Sequence, residues 1–257
     1  MALQDADLIV NDGLLTGSID LGDGQNILTN RGRIAGPSVF GAGADLVFNE
    51  GTISGNVNLG AGADRLDSAY GVITGSIIGG LGDDIITGGT QRDVIYGDNV
   101  SGDSTGGADV LTGNAGDDLI FGGFGADQLY GNQGDDVLYG NQDNDWIHGG
   151  QGDDVLYGGQ GNDTVNGGKG DDALYGNLGD DTFVFQAGFG HDVVGDFGNG
   201  AGDLIQFQPG TFVDFADVQA HATQLTGGVL LTDATGDTLY LVGATTGGLA
   251  ASQFLFG

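Results

Sequence analysis

From Gly79 to Val184 the chain repeats every nine residues, and this period fixes most of what it can fold into. Gly79-Gly80-Leu81-Gly82-Asp83-Asp84-Ile85-Ile86-Thr87 is one unit, and Gly88 to Tyr96 is the next. After an insertion the pattern runs without a gap from Gly113 to Val184. Each unit has turn glycines, then an Asp, then an apolar residue two positions later. The Asp series is Asp84, Asp93, Asp109, Asp118, Asp127, Asp136, Asp145, Asp154, Asp163, Asp172 and Asp181. The apolar partners are Ile86, Ile95, Leu111, Ile120, Leu129, Leu138, Ile147, Leu156, Val165, Leu174 and Phe183.

Each unit reads as a turn followed by a short strand. Glycines let the backbone take positive φ and curl without a Cβ clash. The curled turn points carbonyl oxygens inward, and the Asp adds a carboxylate. Strand side chains alternate, so the residue two after the Asp faces the interior. One unit buries almost nothing, whereas stacked units bury a continuous apolar ladder. Two nines make one coil, which puts alternate turns on opposite edges. One edge should carry Asp84, Asp109, Asp127, Asp145, Asp163 and Asp181, and the other Asp93, Asp118, Asp136, Asp154 and Asp172. Carbonyl and carboxylate oxygens suit a hard cation such as Ca²⁺, which takes six or more ligands at about 2.3–2.6 Å. The repeat offers neither Cys nor a regular His, which disfavours softer metals. Without metal the stacked Asp rows repel, so the metal-free chain is expected to be largely unfolded and to fold as Ca²⁺ binds. Asp143 replaces the second turn glycine of its unit, a place Asp can fill because it tolerates the left-handed region.

This nonapeptide, G-G-x-G-x-D-x-U-x, is that of Ca²⁺-binding parallel β-rolls. The chain resembles the RTX (haemolysin-type calcium-binding repeat) family. The resemblance implies an all-β fold, a right-handed parallel β-roll or β-solenoid with Ca²⁺ rails and a C-terminal β-rich cap. Residues 1–78 are expected to form degenerate coils, 79–184 the regular roll, and 185–257 a cap with a secretion signal.

A longer period runs through residues 1–78. Gly13, Gly32, Gly51 and Gly71 are spaced by 19, 19 and 20 residues, and Asn26, Asp45, Asp64 and Asp84 follow them. Nineteen is about one coil of two nines, so the same solenoid is expected to start near residue 8. Asp45 and Asp64 should continue one metal edge, with Asn26 as a neutral capping turn. The opposite edge reads as a plain turn such as Asn49-Glu50-Gly51. A separate small β domain is the alternative. The insertion from Asp98 to Gly106, rich in Asp, Ser, Gly and Asn, reads as an exposed loop, a tolerated insertion in preference to one that binds Ca²⁺ or touches a partner.

Where the nine-residue phase ends, the segments Phe183 to Phe185, Gly188 to Phe197, and Gly202 to Phe207 resemble the post-roll cap of secreted RTX proteins, which closes the end of the stack. The resemblance offers Asp192, Asp196 and Asp203 as holders of one more Ca²⁺. The expected cation ligands outside the Asp series above are thus Asp45, Asp64, Asp192 and Asp203. A short helix is expected over Phe215 to Gln224, and a hairpin over Gly228 to Gly243 around Ala234-Thr235-Gly236. The ending, Leu249 to Gly257, resembles the uncleaved signal read by type I secretion machinery.

Net charge is −31, from 36 acidic and 5 basic residues, which argues against nucleic acid as a partner. There is no Cys, hence no disulfide or thiol chemistry, and no apolar run near the ~20 residues of a membrane span. The three histidines, His148, His191 and His221, are scattered, and no zinc, nucleophile-elbow or phosphate-loop motif is present. An enzyme is therefore not expected. One strand face carries Tyr96, Phe121, Tyr139, Tyr157 and Tyr175 at the last repeat position. These rings either stiffen the sheet by cross-strand stacking or form an interface with another copy, the C-terminal segment or a glycan. The reading is a secreted, extracellular or cell-surface Ca²⁺-binding structural protein that self-assembles or adheres. The alternatives are a polysaccharide-binding module and a Ca²⁺-binding effector at a host membrane.

Overall fold

A computed structural model describes residues 5–99, 106–198 and 202–257. They form two compact units, residues 1–133 and 134–257. Both are parallel β-rolls built as the period requires.

In the first unit, one sheet takes a strand from every coil: Leu8–Asn11, Ile27–Asn30, Leu46–Asn49, Arg65–Asp67, Ile85–Thr87, Val110–Ala115 and Gln128–Gln133. A second sheet runs through Ile19–Asp20, Ser38–Val39, Val57–Ala61, Ser76–Leu81, Val94–Asp98 and Leu119–Phe124. The register steps by 19 residues at Leu8↔Ile27 and Ile27↔Leu46, by 20 at Arg65↔Ile85, and by 25 at Ile85↔Val110, where the insertion lengthens one coil. The solenoid thus starts at Leu8, as the 19-residue period implies. A third, four-stranded sheet of Leu14–Thr16, Arg33–Ala35, Thr52–Ile53 and Val72–Ile73 was not expected. It arises because Ile34, Ile53 and Ile73 add an inward apolar residue to each 19-residue coil, which the nine-residue unit has no room for.

In the second unit, Trp146–Gln151, Thr164–Lys169, Thr182–Phe185, Leu204–Phe207 and Phe254–Phe256 form one parallel sheet. Val137–Gln142, Val155–Gln160, Ala173–Leu178 and His191–Val194 form the other, with an 18-residue register at Val137↔Val155 and Val155↔Ala173. The hairpin of Gly228–Thr232 and Thr238–Val242 extends that sheet, Thr238–Val242 lying parallel to His191–Val194. The helix covers Phe215–Ala220, shorter than expected; Ala222–Leu225 is instead a strand paired with the hairpin. Asp214 caps the helix, accepting the Asp217 N–H at 2.8 Å.

All eleven apolar repeat residues, Ile86 to Phe183, are fully buried. At the far end of the second unit Phe185, Phe189, Phe207, Phe212 and Phe254 are buried together and cover the end of the apolar ladder. No helix among the described residues is long and apolar enough to cross a membrane.

Candidate metal centre

Every Asp of the nonapeptide series is buried, 0–4% exposed, and so are Asp45, Asp64, Asp192 and Asp203. A buried carboxylate is costly unless something compensates it. Half of the compensation is visible in backbone hydrogen bonds. The Asp45 N–H donates to Asp64 Oδ1 at 2.7 Å, Asp64 to Asp84 at 2.8 Å, Asp84 to Asp109 at 2.8 Å, and Asp109 to Asp127 at 2.8 Å. On the other edge of the first unit Asp93 N–H donates to Asp118 Oδ1. The second unit repeats this arrangement. One row runs Asp145, Asp163, Asp181, Asp203, and the other Asp136, Asp154, Asp172, Asp192. Within each unit the expected edges are therefore real rows, one carboxylate per coil.

The second carboxylate oxygen is the unmet half. Oδ2 of Asp45, Asp64, Asp84, Asp109, Asp154, Asp163, Asp172 and Asp192 is buried and accepts no hydrogen bond. Asn26 shows what this oxygen faces. It occupies the same place in its coil: its N–H donates to Asp45 Oδ1, and its own Oδ1 accepts from Asp7 N–H. Its Nδ2, standing where an Asp has Oδ2, donates to the carbonyls of Gly22 at 3.1 Å and Gly24 at 3.4 Å. The corresponding glycines stack on the coils that follow, Gly43 on Gly24 and Gly62 on Gly43. In the coils of these eight Asp the same turn sets a carboxylate oxygen toward carbonyl oxygens, acceptor against acceptor, whereas Oδ2 of Asp93 and Asp203 accepts the Gly89 and Gly198 N–H. A proton on the carboxyl or a bound cation can relieve this contact, and the all-oxygen donor set of this cage fits Ca²⁺. No three His, Asp or Glu side chains converge on one metal position among the described residues.

The glycines make room for this cage. A Cβ on Gly79, Gly149, Gly158 or Gly167 would collide with Oδ2 of Asp84, Asp154, Asp163 or Asp172. Turn positions with positive φ are held by Gly, or by Asn114, Asn132, Asn141 and Asn177; Asp143, at φ 74, is left-handed as its place in the repeat requires.

Burial pushes the carboxyls up, against the lowering effect of the backbone N–H each accepts: Asp84 and Asp154 to about 8, Asp64 and Asp109 to about 7, Asp192 to about 9. Neighbouring carboxylates of the same row add to the rise in Asp84, Asp154 and Asp192. The rows are thus unfavourable as bare anions and call for a counter-charge.

Asp192, Asp196 and Asp203 do not come together around one ion. Asp192 extends the row of Asp172 and Asp203 that of Asp181, because each follows its own strand. Asp196 instead accepts the N–H groups of Gly176 and Asn177. The insertion is described only at its ends. Residues 100–105 lie outside the described residues, but Asp98 is buried rather than part of an exposed loop.

Sequence reasoning missed a second ladder. On the edge opposite the first Asp row, Asn11 Nδ2 donates to Asn30 Oδ1 at 2.7 Å, Asn30 to Asn49 at 2.7 Å, and Asn49 to Ser68 Oγ at 2.9 Å. These residues are buried and recur every 19 positions, the signal that could have found them. An amide carries both donor and acceptor, so this ladder satisfies itself without metal.

The aromatic residues stack as cross-strand pairs. Ring centroids are 4.9 Å apart for Tyr96–Phe121, 4.8 Å for Tyr139–Tyr157 and 4.9 Å for Tyr157–Tyr175. All five rings are half-buried, and Gly195 lies flat on Tyr175. In the second unit a groove of about 350 Å³ runs past Tyr139 and Tyr157, bordered by Asn141, Gln160, Asn177 and Leu178. The histidines are apart: His191 Nδ1 lies 2.9 Å from Thr238 Oγ1, His221 Nδ1 lies 3.0 Å from Asp217, and burial lowers the His148 imidazole.

Parallel β-roll coils with buried Asp rows define a β-solenoid that carries candidate cation sites. Residues 76–100 and 103–194 match the model of the RTX calcium-binding nonapeptide repeat (4 copies), in overlapping stretches. No curated protein matches the chain. Among solved structures it is similar to the extracellular lipase LipA from Serratia marcescens, at 22% identity and a TM-score of 0.41. That similarity covers 71% of this chain and 40% of the lipase, so the chain spans less than half of that protein's length.

Proposed function

We propose that this is a secreted structural protein that folds as Ca²⁺ fills its Asp rows and then self-assembles or adheres at a cell surface or in an extracellular matrix. The carrying observation is the buried carboxylate oxygen facing carbonyls in coil after coil, with Asn26 as its neutral counterpart. The ligands in this reading are Asp45, Asp64, Asp84, Asp93, Asp109, Asp118, Asp127, Asp136, Asp145, Asp154, Asp163, Asp172, Asp181, Asp192 and Asp203. Extracellular Ca²⁺ is abundant, so a bare polyanion inside the cell becomes a neutralised solenoid outside it. No catalytic role is assigned: the repeat accounts for the Asp pairs, and the histidines have separate surroundings.

Assembly would use the stacked rings of Tyr96, Phe121, Tyr139, Tyr157 and Tyr175. The test is light scattering with negative-stain imaging before and after millimolar Ca²⁺. Ordered assemblies that vanish in Tyr139→Ser/Tyr157→Ser, with folding retained, support the reading; a Ca²⁺-saturated monomer removes it. The groove beside Tyr139 and Tyr157 favours a second reading, an extracellular glycan lying on the rings and bonded by Asn141, Gln160 and Asn177. A monomer whose tyrosine fluorescence responds to soluble polysaccharide would select it.

A further inference from the structure

Asp98 has no place in the nonapeptide. It stands at the second turn position, in register with Gly80, where other units carry Gly or Asn with positive φ. Asp98 has no positive φ, and its carboxylate is turned inward, 8% exposed. Oδ2 accepts the Phe124 N–H of the next coil at 2.6 Å. The backbone of Gly107, beyond the insertion, lies beside this carboxylate. A Cβ on Gly106 or Gly123 would strike it. Oδ1 is buried with no partner at all.

Two further buried carboxylates are near. Asp109 belongs to the same turn and Asp84 to the coil before it; both are fully buried, and both have an Oδ2 without a partner. A Cβ on Gly97, the residue before Asp98, would strike Asp109 Oδ2. No Lys, Arg or His among the described residues pairs with any of the three. Hydrogen bonding alone explains Oδ2 of Asp98 as a clasp at the neck of the insertion. It leaves Oδ1 unexplained.

We infer that Asp98 is a calcium ligand outside the repeat, which gives the turn of Asp109 one more carboxylate oxygen and makes it a stronger cation site than its neighbours. This rests on the calcium reading of the rows. Affinity for Ca²⁺ rises with the number of charged ligands, so this site would fill first as Ca²⁺ rises.

The test is calorimetric Ca²⁺ titration of the full chain against Asp98→Asn. Asn keeps an acceptor for the Phe124 N–H, so the clasp survives while the charge is lost. The tightest binding step should weaken roughly tenfold, with later steps and the Ca²⁺-saturated β signal unchanged. An isotherm identical to that of the unchanged protein would leave Asp98 as a clasp only and overturn the inference. Should Asp98→Asn fail to fold, anomalous diffraction from the unchanged protein with Tb³⁺ decides. An ion within about 2.3–2.6 Å of Asp98 Oδ1 supports the site. Ions in the rows but none at Asp98 refute it, and no ions anywhere would refute the calcium reading instead.

Discussion

Removing Ca²⁺ should invert the response of this protein to pH. Asp192 gives the scale. Burial raises its carboxyl from the ordinary 3.8 to about 9, so the metal-free fold binds a proton there that the unfolded chain has released. Stability then falls as pH rises between those values, by about 1.4 kcal/mol per pH unit per group. From pH 5 to pH 8 that is about 4 kcal/mol, or about 2 kcal/mol when halved for residual hydration. Asp84 and Asp154, both raised to about 8, shift in the same direction. Three such groups together approach the 5–15 kcal/mol of a typical fold. With Ca²⁺ bound the sign reverses, because protons compete with the cation for the same oxygens and stability should rise with pH. The assay is urea unfolding followed by far-UV circular dichroism at pH 5, 6, 7 and 8, in chelator and in excess Ca²⁺. The expected result is a falling midpoint in chelator and a rising one in Ca²⁺. A metal-free midpoint that is flat or rises with pH would refute the argument that bare buried carboxylates limit the apo fold.

Other consequences follow from single residues. Asp163→Asn places a donor toward carbonyls as Asn26 does, so equilibrium dialysis should show about one ion fewer with folding retained. Asp163→Ala also leaves the Asp145 N–H without its acceptor and should cost about 1–3 kcal/mol more than the Asn variant. Leu156→Ala opens a cavity in the fully buried ladder; chemical unfolding in saturating Ca²⁺ should show a loss of about 2–5 kcal/mol with the bound-ion count unchanged. Asn30→Ala removes both the acceptor of Asn11 Nδ2 and the donor to Asn49 Oδ1, two broken rungs at about 1–3 kcal/mol each, measured as a loss that does not change with Ca²⁺ concentration.

The period made the repetitive part of this fold legible. A turn, an Asp and an inward apolar residue every nine positions leave one way to stack, and Ile86 to Phe183 are buried as that stacking demands. The Asp rows were legible for the same reason, down to Asp45 and Asp64 at the 19-residue spacing. The rest depended on contacts that no period announces. Asn11, Asn30 and Asn49 look like turn residues until the coils place their amides in one line. The third sheet needs the extra length of the 19-residue coil. Asp98 reads as loop by composition, and only the Phe124 N–H of the next coil draws it inward. Asp196 sits among acids in the sequence, yet its carboxylate is committed to the backbone of Gly176 and Asn177.

The most direct measurement is a Ca²⁺ titration of chelator-treated protein at pH 7.5, with circular dichroism and bound Ca²⁺ counted on the same samples. The account predicts a weak β signal at the start and a cooperative gain that tracks the binding of several ions per chain. A full β signal in chelator, with no ions taken up as Ca²⁺ is added, would contradict it.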